Sequence, residues 1–159
     1  MSSSSEIFID ERKIAEDIES LCQAGRLGMI GKVGKLLEKG VVVNGRDTKG
    51  ITALHWACAF RHPETIEALV SGGADINAKN SAGYTPLHNA CLPGHVDVAC
   101  YLIHKGANLF ELNVNGKSPI DLLNQAYGSK VTEAQTEEQM EVLKDAWSRR
   151  PTSVRRTVH

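Results

Sequence analysis

Three stretches of this chain are the same motif written three times. Gly50-Ile51-Thr52-Ala53-Leu54-His55-Trp56-Ala57 returns as Gly83-Tyr84-Thr85-Pro86-Leu87-His88-Asn89-Ala90, and again, more worn, as Gly116-Lys117-Ser118-Pro119-Ile120-Asp121. The spacing is 33 residues each time. A fixed period of this length means stacked supersecondary units, because a single unit cannot bury its own apolar face and must lay it on a neighbour. That constraint excludes most single-core folds before any residue is considered alone.

Each unit carries its own helix punctuation. Thr52 is a natural N-cap for a helix over Ala53–Phe60, and Thr85 for one opened by Pro86. Pro63 starts a second helix that shows Ile66, Leu69 and Val70 on one face, and Gly72-Gly73 ends it. In the third unit Gly94 makes the turn between helices, His95 and Val96 open the second helix, and Gly106 closes it. Arg61 stands at the position of Gly94, so a left-handed turn there strains it by about 1 kcal/mol. Leu21, Ala24, Val33, Leu36 and Leu37 sit 33 residues before Leu54, Ala57, Ile66, Leu69 and Val70. A first repeat therefore covers Asp10–Asn44, with Asp10 as N-cap and an apolar stripe of Ile14, Ile18, Leu21 and Cys22. Gly31 and Gly34 fall inside its second helix and make it the softest unit.

The fourth unit starts at Asn113. After Leu123 the register is lost, and 128–138 reads as a polar insertion. Thr136 with Gln139 forms a capping-box pattern, and Met140, Leu143, Ala146 and Trp147 give a closing helix over 137–148 that lays Trp147 on the last repeat. Residues 1–9 are serine-rich and expected to be flexible, 10–148 form one repeat domain, and 149–159 form a flexible basic tail.

Composition narrows the function classes. The formal net charge is -1, which gives no global attraction to nucleic acid or to membrane surfaces. No run of about 18 apolar residues exists to span a bilayer. No secretory signal is visible, so the four cysteines are expected to be thiols in an intracellular, cytoplasmic or nuclear setting.

Gly-x-Thr-Pro-Leu-His-x-Ala at this period, with the closing run Leu69–Ala78, resembles the ankyrin repeat over roughly residues 20–126. The resemblance implies an all-α solenoid of about four helix-turn-helix units with β-hairpin-like loops and a C-terminal capping helix. It implies a protein that binds other proteins through loop tips and the groove of the first helices, and that is not an enzyme. Ala53 in place of Pro and Asp121 in place of His depart from the pattern, and are expected to weaken local order without disturbing register. In the family the motif His holds loop backbone, and the Asn44 and Asn77 positions are ones that asparagine hydroxylases modify in some members.

Chemistry-bearing groups are few. His55-x-x-Cys58 and His88-x-x-Cys91 suggest a zinc site by spacing, but equivalent residues on adjacent units lie about 8–10 Å apart, too far for ligands at about 2 Å from one ion. Cys22, Cys58, Cys91 and Cys100 have no basic neighbours in sequence to make them reactive. His104 and Asp75 lack a nucleophile or phosphate loop. No catalytic residue, metal or cofactor is assigned.

The positions left free by the motif hold large groups: Ile51, Trp56, Phe60, Tyr84 and Leu92, with Lys49, Asn89 and Lys117 beside them. Aromatic and large apolar side chains carry most of the energy in protein interfaces. These eight residues are the expected protein-binding set of a monomeric adaptor, with a partner's apolar anchor between Trp56 and Tyr84. Lys49, Lys79 and Lys117 on one rail suggest acidic groups on that partner. The alternative is a structural subunit permanently locked into a larger assembly. In the tail, Arg149-Arg150 and Arg155-Arg156 precede Thr152, Ser153 and Thr157, which resemble sites for basophilic kinases.

Overall fold

A computed structural model describes residues 10–128 and 133–149, with backbone alone at 133–136 and 139. The expected flexible end at 1–9, nearly all of the basic tail, and Thr152, Ser153 and Thr157 lie outside the described residues. Among the described residues there are eight helices and no strand.

The first unit is α1 (Glu11–Leu27) and α2 (Ile30–Glu38). Asp10 caps α1 by accepting from Lys13 N at 3.2 Å. Leu21 and Cys22 are buried, Ile18 is half-buried, and Ile14 at the open end is 37% exposed. The second unit is α3 (Ala53–Ala59) and α4 (Pro63–Ser71), the third α5 (Pro86–Cys91) and α6 (Val96–His104). The fourth is α7 (Pro119–Tyr127) and α8 (Glu133–Ser148).

Two layers result. One stacks α1 on α3, α3 on α5 and α5 on α7; the other packs α2 on α4 and α6 on α8. The core between them is aliphatic: Leu21, Leu54, Ile66, Leu69, Leu87, Leu102, Ile103 and Leu123 are all at most 1% exposed. Leu54 and Leu87 occupy equivalent buried places, and Ile120 packs on the same core half-buried.

Of the expected polar insertion over 128–138, the part from Glu133 on is helix, and 129–132 lie outside the described residues. α8 begins at Glu133, four residues before the expected start, and it packs on α6. It closes the stack as the expected C-terminal helix, laid on α6. Thr136 lies inside this helix and does not begin it; its side chain and that of Gln139 lie outside the described residues. Phe110 explains how the closing layer is held. Its ring meets Trp147 edge-on with centroids 5.3 Å apart.

Arg61 has φ 57°, the same left-handed turn that Gly28 and Gly94 make at φ 66° and 88°. Its side chain compensates in part by donating from Nε to Asp97 Oδ2 at 3.1 Å. At Gly94 a Cβ would sit 3.3 Å from the Tyr127 ring, whose hydroxyl donates to the Gly94 carbonyl at 2.7 Å. Gly94 is therefore also where the fourth unit locks to the third.

Candidate functional site

The loops between units are built by one repeated device. Asp47 Oδ1 accepts from the backbone N–H of Lys49 and Ile51, both at 2.9 Å. Asn80 does the same for Ala82 and Tyr84, and Asn113 for Asn115 and Lys117. A short side chain with an acceptor two atoms from the backbone closes such a turn without a strand ladder. The tips are thereby fixed at equal intervals.

His55 ties one tip to the next. Its Nε2–H donates to the Tyr84 carbonyl at 2.9 Å, and Nδ1 accepts from the Thr52 hydroxyl at 2.8 Å. His88 repeats this with Lys117 O at 3.0 Å and Thr85 Oγ1 at 2.9 Å. Both ring nitrogens are occupied, so neither imidazole has a lone pair to offer a metal. Burial holds both below the ordinary imidazole value. Among the described residues no group of three or more His, Cys, Asp or Glu is arranged to hold an ion.

Asp121 corrects one sequence expectation. It does not loosen its helix: Oδ2 accepts from Ser118 N at 2.8 Å and from Ser118 Oγ at 2.7 Å, completing the same capping box as Thr52–His55. These hydrogen bonds hold its carboxyl below the usual range. The shorter acid thus does the capping part of the task that His55 and His88 do. The capping box at Thr52 is likewise complete with Ala53 at the first helical position.

Cys22, Cys58 and Cys91 are buried in the seams, and Cys100 is half-buried. Cys22 and Cys91 are pushed by burial up to about 12, and burial moves Cys58 and Cys100 in the same direction. Such thiols are protonated at neutral pH and poor nucleophiles.

The protein-binding candidates divide. Trp56 is half-buried, and its Nε1–H donates to Asp47 Oδ2 at 2.8 Å, which fixes the ring. The Lys49 ammonium lies 6.0 Å from the ring centroid, at the outer limit of cation–π attraction. These residues and Thr48 form one wall of a cleft of about 380 Å³, whose other wall is Glu19, Gln23 and Arg26 of α1. The sequence did not nominate the α1 wall. Nothing in α1 carries the motif, so only the stacking of α1 on α3 reveals it.

Tyr84 does not line this cleft; its ring meets that of His88 at a tilt of 52°, with centroids 5.5 Å apart. Asn89 uses its side-chain amide inside the fold, donating to the His55 carbonyl at 3.4 Å. Ile51 is half-buried and Lys117 is exposed. Lys79, expected on the basic rail, is paired with Glu111. Phe60 and Leu92 are each 51% exposed, and so is Leu27, which the sequence reading passed over. Leu27 ends α1, Phe60 caps α3 and Leu92 caps α5. The signal existed, since Leu27 lies 33 residues before Phe60.

A family model described as ankyrin repeats in three copies matches residues 21–114. The chain belongs to the ankyrin-repeat family. Among similar curated proteins, Ankyrin repeat domain-containing protein 40 of Mus musculus and of Homo sapiens are each 43% identical over 56 residues, 35% of this chain and 15% of theirs. Acyl-CoA-binding domain-containing protein 1 of Arabidopsis thaliana is 36% identical over 67 residues, 42% of this chain and 20% of its own. The matched stretch is thus a fifth or less of these relatives' length. Ankyrin repeats generally mediate protein–protein interaction. Among the described residues no helix is long and apolar enough to cross a membrane.

Proposed function

We propose that this ankyrin domain is a non-enzymatic adaptor, monomeric when isolated, that grips a partner protein along the first-helix layer. The observation that carries this reading is the exposure of Leu27, Phe60 and Leu92 at the ends of three successive first helices, with the Phe60 ring 6.2 Å from the Trp56 ring that lines the cleft. Stacked helices lie about 8–10 Å apart, so the row extends for roughly 20 Å. An apolar row of that length exceeds the scattered single exposures of an ordinary surface. The partner segment sets an apolar anchor beside Trp56 and lies toward α1, rather than between Trp56 and Tyr84. Arg26, Lys49 and Lys117 favour acidic groups on the same segment.

The test is affinity capture with immobilised wild-type chain and a Leu27→Ala, Trp56→Ala, Phe60→Ala variant, read by quantitative mass spectrometry. Proteins bound through this face are lost from the variant and kept by a Tyr84→Ala control. If the folded variant captures the same proteins in the same amounts, the reading is wrong.

A further inference from the structure

The second-helix layer is not uniformly packed. α2 lies against α4, and α6 against α8, but α4 and α6 are not closely packed on each other. Between them is a cleft of about 270 Å³. Its floor is Ile66, Val98 and the half-exposed ring of Tyr101. Its rim is acidic: Glu64, Glu67 and Asp97. Asp97 is paired with Arg61 at 3.1 Å, whereas Glu64 and Glu67 have no cation bonded to them among the described residues. Glu64 sits in the first turn of α4, where a negative charge favours the helix, but Glu67 is a turn further on and that account does not reach it. Lys105 lies 5.5 Å from the Tyr101 ring and holds one face of it.

The volume is below the roughly 300–1,000 Å³ of sites that enclose a whole drug-sized molecule. It suits one large side chain. An apolar slot for one side chain, bordered by two unneutralised carboxylates, is complementary to an apolar residue carried between cationic ones. We propose that the α4–α6 cleft is a second docking site, on the layer opposite to the Trp56 row, and that it takes a basic peptide segment of a partner protein through one leucine-like anchor flanked by arginine or lysine. The two layers then recognise segments of opposite charge, so one domain can bridge two partners. This site stands independently of the first-helix reading.

The probe is a labelled peptide with a central leucine flanked by arginines, titrated into the full chain and followed by fluorescence anisotropy and methyl NMR. Shifts centred on Ile66 and Val98 are expected. Glu64→Gln with Glu67→Gln weakens binding by about fivefold, because two exposed ion pairs are lost. Tyr101→Ala weakens it as well, while Trp56→Ala leaves it unchanged and circular dichroism confirms each variant is folded. Equal affinity for a peptide with glycine in place of leucine overturns the proposal, since the slot then contributes nothing. Shifts mapping away from Ile66 and Val98 overturn it too. Binding that appears only once Arg150, Arg155 and Arg156 are changed to Ala also overturns it, because the occupant is then this chain's own basic end.

Discussion

Replacing Gly31 and Gly34 with alanine should stabilise the protein. Both lie inside α2, neither has a positive φ, and a Cβ built at either meets nothing within 4 Å. No contact is therefore created or broken, and the effect is the backbone entropy of the unfolded chain alone. Each glycine costs roughly 0.5–1 kcal/mol relative to alanine in a helix interior, so the double variant should gain about 1–2 kcal/mol. Because stability in a stacked array is a sum of unit and neighbour terms, the gain should be local to the first unit. Amide exchange in α2 should slow by about 5- to 30-fold, the equivalent of that energy. Urea unfolding followed by circular dichroism gives the global value. Gly25→Ala is the opposing control: its Cβ would lie 2.6 Å from the Ala53 carbonyl oxygen, where α1 crosses α3. That overpacking should cost about 1–3 kcal/mol. The reasoning is refuted if the double variant is no more stable than wild type, or if Gly25→Ala is neutral.

Two further outcomes follow from the buried groups. His55 and His88 are held below their ordinary value, so the unfolded chain binds protons that the folded chain refuses. Stability should be flat above about pH 6.5 and fall as the pH drops below it; urea midpoints at pH 7.5, 6 and 5 measure this, and His55→Gln with His88→Gln should flatten the curve while lowering stability throughout. The cysteines should react slowly with a disulfide reagent at pH 8 in the folded chain and quickly in urea, as burial keeps Cys22, Cys58 and Cys91 protonated. Rapid native reaction of three or more thiols would count against the buried seams.

The interior was legible because a 33-residue period repeats the same burial problem. Once Leu54 and Leu87 are equivalent, their environments must be equivalent, and Thr52 and Thr85 cap by the same local geometry. The period is lost after Leu123, and beyond it helix runs from Glu133 where a polar insertion was expected. α8 has few buried positions to declare its phase, and its membership in the stack is decided by α6 beneath it. Asp121 was misread for a related reason: as a substitution in a motif it looks like decay, whereas its carboxylate completes the capping box with Ser118.

Sequence alone determined the stack, its register, its caps and the aliphatic character of its core, since these depend on residues within one period or on identical neighbours. The tertiary structure decided what each surface residue is free to do. Asn89 and Lys79 were consumed by adjacent units, and Glu64 was set across a gap from Asp97. Those outcomes depend on which side chains meet between layers, and no periodicity within a single strand of text encodes the distance between two of its copies.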